Sequence, residues 1–161
     1  MRDSPNQPSL GYLINLLARL MAQSLKARNG PEGILPGQFP AVLRLLESDL
    51  ETQKSLCDHV RVEQGTMANT LKRMERSGMI QRRARRHDRR QYSVNLTPKG
   101  RELAIAAVKN AGDVNRVALA GLSAQERELL RGFLVAMVAS LEEDLAGRAP
   151  KIDPEPAKSR P

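Results

Sequence analysis

The chain has 161 residues, enough for one domain with its own core and too few for two. It carries a formal net charge of +8 and only 2% aromatic residues, which disfavours a stacking platform for single-stranded bases. No run approaches 18 uninterrupted apolar residues, the start "MRDSPNQPSLG" lacks the order of a secretory leader, and Cys57 is the only cysteine; membrane spans and internal disulfides are excluded, and a cytoplasmic protein is expected.

Residues 1–9 read as a disordered arm. Leu10, Leu13, Ile14, Leu17, Leu20, Met21 and Leu25 then recur at helical spacing, predicting a first amphipathic helix that ends before "NGPEG". A second helix is expected from Gly37 to Ser48, with Pro40 tolerated only in its first turn. Thr52 can cap a short third helix, "QKSLCDHV". A fourth is expected from Gly65 to Ser77, with a weak N-terminal cap in "VEQG" and Gly78 suited to a left-handed C-terminal cap.

After Gly78 the period changes from helical to alternating. Ile80, Arg82 and Ala84 alternate with Gln81, Arg83 and Arg85; Tyr92, Val94 and Leu96 alternate with Ser93 and Asn95. This predicts a hairpin whose loop is centred on "RHDRR" and whose second strand has an apolar face including Tyr92. Thr97 caps the next helix, with Pro98 at its first position, and that helix reaches about Ala120. Ser123 and Glu126 have capping-box spacing for a last helix through Leu145. Residues 147–161, including "PKIDPEPAKSRP", are polar and proline-rich and read as a disordered tail.

The charge is concentrated. Arg61 to Arg101 holds 12 Lys/Arg against 3 Asp/Glu, a net of +9, whereas the remainder holds 14 against 15. Six arginines fall within the nine residues Arg82–Arg90. A neutral body with one basic quarter points to a polyanionic partner. An anionic membrane would call for an amphipathic helix with the charge opposite an apolar face, but here the arginines lie on a hairpin. Double-stranded DNA is the favoured polyanion.

Two short helices joined by a tight turn and followed by a hairpin describe a winged helix-turn-helix, whose second helix enters the major groove. In the fourth helix Met67, Leu71 and Met74 form an inward stripe with Thr70 beside it. Gln64, Thr66, Asn69, Lys72 and Arg73 are left as the candidate reading set, because Asn pairs bidentately with adenine, Arg with guanine, and Thr contacts a thymine methyl or a phosphate. Gly65 would permit close backbone approach. The plain alternative is a solvated polar helix face, and the crowded arginines beside it weigh against that. Arg86, Arg89 and Arg90 are the candidate wing contacts for the narrow minor groove. Asp88 among them can fix one arginine by a bidentate pair or simply relieve charge.

"DRRQYSVNLTPKG" (Asp88–Gly100) resembles the wing signature of MarR-type transcriptional regulators, and "TQKSLCDHVRVEQGTMANTLKRMERSGMIQRR" (Thr52–Arg83) is similar to that family's helix-turn-helix. The resemblance implies a mainly α fold with a small β-hairpin wing. It sets a winged helix-turn-helix at 34–97 on a helical dimerisation body at 10–28 and 98–146, all within one domain. It further implies a homodimer on a pseudo-palindromic site, Arg90 as the arginine in the minor groove with Asp88 positioning it, and a small-molecule effector of unknown identity and site. On the residues alone, Arg86 and Arg89 are equal candidates with Arg90. The sequence departs from the family pattern at Pro36-Gly37, where a capping Thr is common, and at Cys57, where Ala is usual.

Other chemistries fit poorly. Cys57 reads as a buried filler. Cys57, His59 and His87 have no metal-ligand spacing, since the first two point in different directions on one helix; no metal or cofactor is expected. No phosphate-cradling glycine loop or nucleophile motif occurs, so an enzyme is not expected. The expected function is a sequence-specific, double-stranded-DNA-binding transcriptional regulator, a ligand-responsive homodimeric repressor. The rivals are a nonspecific architectural DNA binder and a winged-helix protein-interaction module.

Overall fold

The computed structural model describes residues 7–48, 51–85 and 88–147, with side chains described outside 84–91. The elements run α1 (Leu10–Asn29), a 3-10 turn (Pro36–Gln38), α2 (Phe39–Glu47), α3 (Gln53–Val60), α4 (Gln64–Arg76), β1 (Ile80–Arg85), β2 (Asp88–Leu96), α5 (Pro98–Ala118) and α6 (Ala124–Leu145). This is a mainly α protein with one antiparallel hairpin. The described residues through Ala118 belong to one compact unit, and those from Leu119 to a second. The expected disorder of the arm falls largely, and that of the tail almost wholly, outside the described residues.

Local chemistry accounts for most boundaries. The Ser9 hydroxyl accepts from the Tyr12 amide at 3.2 Å and opens α1; Gly30, at φ +71°, closes it. Thr52 and Ser55 exchange bonds at the start of α3, Thr52 Oγ1 accepting from Ser55 N at 3.1 Å and Ser55 Oγ from Thr52 N at 2.9 Å. Gly78 takes the left-handed conformation after α4, at φ +71°. Pro36-Gly37 does give an unusual lead into α2. A 3-10 turn forms, and buried Gln38 accepts from the Leu35 amide at 2.9 Å in place of a hydroxyl cap. Pro40 sits in the first turn of α2, where its missing N–H costs nothing.

The core of the first unit gathers Ile34, Val42, Leu45, Leu56, Met67, Leu71, Met74, Ile80, Val94 and Ala104, with α2 touching α3, α5 and β2, and α4 touching α3 and β1. Each such large aliphatic side chain contributes about 1.5–3 kcal/mol by leaving water. Cys57 is buried among them, and burial, reinforced by Asp58, pushes its thiol above the ordinary range, as suits a small hydrophobe. α1 lies along α5, where Asn110 Nδ2 donates to Asn29 Oδ1 at 2.9 Å and to the Arg28 carbonyl at 3.3 Å.

Two wing expectations need correction. Asp88, Arg89 and Arg90 are not loop residues: β2 begins at Asp88. The register is interrupted, because Ala84 pairs with Tyr92 while the adjacent Arg85 pairs with Asp88. Arg89, Arg90 and Gln91 therefore have no opposite number in β1, a bulge that re-aims the strand. Tyr92 is not wing core. It is 51% exposed, whereas Val94 and Leu96 on the same strand are buried.

Glu51 is the one acidic side chain buried among the described residues, at 5% exposure. Burial alone would raise its pKa. Hydrogen bonds from Ser55 and Ser48 and the Arg44 guanidinium, whose Nε stands 2.8 Å from Glu51 Oε1, outweigh burial and hold the carboxyl below its ordinary range. Because folding lowers this pKa, the stability it adds is complete above the unfolded value and disappears as pH falls through the lower folded value. Chemical denaturation should show Glu51→Gln less stable than the parent near neutral pH, with the gap closing in acid. A gap of constant size would exclude this account.

Candidate nucleic-acid interface

The two faces of α4 divide as the sequence pattern predicts. Met67, Thr70, Leu71 and Met74 are buried against the core, while Gln64, Gly65, Thr66, Asn69, Lys72 and Arg73 are exposed. The buried stripe fixes the rotation of the helix about its axis, and that rotation presents the polar set outward. Glu63 makes no side-chain cap, in line with the weak cap expected there. Instead Gln53 of α3 donates through Nε2 to Gln64 Oε1 at 3.2 Å, which ties the start of α4 to the preceding helix. Arg73 Nε donates to the Asn69 carbonyl at 3.3 Å, a bond that leaves the terminal guanidinium nitrogens outside it.

The joint between α3 and α4 turns at Arg61, which adopts φ 59° and ψ 50°. It is the one non-glycine residue with positive φ among the described residues. Its amide donates to the Cys57 carbonyl at 2.7 Å, closing α3 before Val62 starts the approach to α4.

The wing is joined to α4 at its base. Arg82 Nε lies 3.2 Å from Glu75 Oε2, so this arginine of the basic run is partly neutralised by α4 itself. Both partners are partly exposed, which makes the pair worth no more than about 1 kcal/mol. The C-terminal carbonyls of α4 and its turn are collected by the start of α5. Lys99 Nζ donates to the Ser77 carbonyl at 3.3 Å, Thr97 Oγ1 to the Gly78 carbonyl at 2.7 Å, and Thr97 N to the Met79 carbonyl at 3.0 Å. Thr97 Oγ1 also accepts from Gly100 N at 3.0 Å, confirming its role as the cap of α5.

The structure thus places the α4 candidates on one exposed face, next to the hairpin that carries the arginines. Of the wing candidates, Arg86 lies outside the described residues, and Asp88, Arg89 and Arg90 are described in backbone only. The expected Asp88–Arg90 pair therefore lies outside the described side chains. Sequence reasoning did not single out Glu75, Glu51 or Lys99. Their partners are 7, 7 and 22 residues away in sequence, and no helical or strand period links them. Cys57 is buried and His59 exposed, so the two do not converge. Among the described residues no cluster of His, Cys, Asp or Glu could hold a metal ion, and no helix is long and apolar enough to cross a membrane.

Comparison with known proteins agrees with this geometry. A family profile described as a winged helix DNA-binding domain matches residues 41–100. The organic hydroperoxide resistance transcriptional regulator of Bacillus subtilis is 31% identical over 133 residues, covering 83% of this chain and 87% of the relative. A solved MarR transcriptional regulator from Methanosarcina mazei is 29% identical with a TM-score of 0.73, covering 83% of this chain and 96% of that one. A MarR variant from E. coli complexed with operator DNA shares the fold at 23% identity and a TM-score of 0.73, covering 80% and 92% of the two chains. Winged-helix topology, an outward polar face on α4 and relatives that align along most of both chains lead to one conclusion: this chain belongs to the MarR-type family of winged helix-turn-helix, DNA-binding transcriptional regulators.

Proposed function

We propose that the protein is a homodimeric, ligand-responsive repressor that reads a pseudo-palindromic duplex with α4 and grips the flanking minor groove with its wing. The observation that carries this reading is the sorting of α4. A stripe at most 7% exposed (Met67, Thr70, Leu71, Met74) locks the helix, so Thr66, Asn69, Lys72 and Arg73 face outward beside the basic hairpin. Asn69 and Arg73 are suited to base edges, and Thr66 and Lys72 to thymine methyls or phosphates. Gln64, held by Gln53, helps to set the start of the helix. Arg89 and Arg90 fall in the irregular segment of β2, and Arg86 precedes the strand. They are proposed to contact the minor groove, with Asp88 orienting Arg90.

The dimer is supported by unpartnered apolar surface in each unit. On α1, Leu10, Leu13, Leu17 and Leu20 are exposed; on α6, Leu129, Phe133, Leu141 and Leu145 are. Surfaces of this kind normally find a partner. A two-fold dimer sets two reading helices about one helical turn, roughly 10 bp, apart. A small-molecule effector that binds two conformations of the dimer unequally would change that spacing and release the operator. That last step rests on family membership.

Arg90→Ala is expected to weaken operator binding at least tenfold, about 1.4 kcal/mol. Titration by fluorescence anisotropy checks it, and unchanged affinity removes the wing assignment. Asn69→Ala should relax preference at one base position in each half-site, read from sites selected out of a random duplex library. A library in which the parent shows no preference would instead return the architectural alternative.

A further inference from the structure

Glu51 joins three elements that must keep a fixed relation if helix and wing are to engage one duplex together. Its carboxylate is buried. It pairs with Arg44 of α2 at 2.8 Å and accepts from Ser55 of α3. Its backbone carbonyl accepts from Val94 N of β2 at 2.7 Å, the one isolated backbone β-bridge to the hairpin among the described residues. The side chain is thus fastened to α2 and α3 while the main chain carries the inner half of the wing strand.

We propose that Glu51 is a positioning residue for DNA recognition, holding the wing at the angle at which its arginines reach the minor groove while α4 occupies the major groove. The inference rests on the DNA-binding reading above. Buried ion pairs are often no more stabilising than apolar side chains of similar volume. What this one adds is direction. The carboxylate accepts from Arg44 on one side and from Ser55 on another, so the Glu51 carbonyl that accepts from Val94 N has one orientation. An apolar side chain could fill the space without fixing that orientation.

The test uses two variants of the full chain, Glu51→Gln and the double variant Arg44→Met with Glu51→Leu. The first keeps shape and loses charge; the second replaces the pair by apolar volume and is expected to keep the thermal midpoint. Each is compared with the parent by hydroxyl-radical footprinting on operator DNA and by the salt dependence of binding. Loss of protection in the flanking minor groove is expected, with central half-site protection retained. Affinity should drop about tenfold and the salt slope should become shallower, as wing phosphates are no longer neutralised. A purely structural role would leave the footprint and salt slope of the folded fraction unchanged, whatever the thermal midpoint. Flanking protection and salt slope equal to the parent's in either folded variant overturn the proposal. Absence of flanking protection in the parent itself would overturn the wing reading, and this inference with it.

Discussion

Operator affinity is expected to fall by about 10³–10⁵ between 50 and 200 mM salt, the range for a protein that neutralises roughly 6–10 phosphates. The estimate follows from where the charge is and what already uses it. The segment from Arg61 to Arg101 has 12 basic residues against 3 acidic ones. Arg82 is paired with Glu75 and Lys99 with the Ser77 carbonyl, so neither is fully available to DNA. Lys72 and Arg73 on α4, with Arg86, Arg89 and Arg90 in the wing, form the proposed contact set, which a dimer presents twice. Binding isotherms at several salt concentrations give the slope directly. A flat response would contradict phosphate neutralisation as the main source of affinity, and the protein-interaction reading would then take its place.

Gly100→Ala is expected to be the most damaging of the single-methyl changes. A Cβ at this position would stand 1.9 Å from the Met79 carbonyl oxygen and 2.8 Å from its carbonyl carbon. Both atoms are backbone and neither can swing away. The same carbonyl accepts from Thr97 N, so displacing it also disturbs the cap of α5 and the turn that ends α4. A loss of about 3 kcal/mol is expected from the overlap, with about 1 kcal/mol more if the cap is lost. Gly65→Ala is the matching control. Nothing lies within 4 Å of a Cβ there, so the helix should become slightly more stable while close approach to DNA is hindered. Thermal denaturation and operator titration of both variants separate the two effects. Gly100→Ala with an unchanged midpoint would sink the steric account.

The glycine at position 100 shows why the wing motif is legible in sequence at all. "LTPKG" records three local demands: a buried Leu96 ending the strand, a hydroxyl cap at Thr97, and no Cβ where α5 passes the turn after α4. The caps at Thr52 and Ser123 and the left-handed Gly78 are local in the same way, and their positions follow from residue type and short spacing. So does the sorting of α4, since a helix with apolar residues at offsets of 3 and 4 has only one face to bury.

Tyr92 marks where that reasoning stops. Alternation gave it the same side as Val94, but how much of a strand is covered is a matter of tertiary packing, and Tyr92 is exposed where Val94 is buried. The break in register that puts Arg89 and Arg90 inside β2 is likewise a product of pairing between two segments, not of either segment alone. Glu51 carries the same lesson for charge. In sequence it is one acidic residue before a capping Thr. Only folding brings Arg44 and Ser55 around its carboxylate and β2 onto its carbonyl. Periodicity, caps and charge distribution by themselves determined the elements and which face of α4 stays polar, because each depends on neighbours within about a turn or a strand pair. The anchoring of the wing and the exposure of Tyr92 were decided by contacts between segments far apart in the chain, which no local pattern encodes.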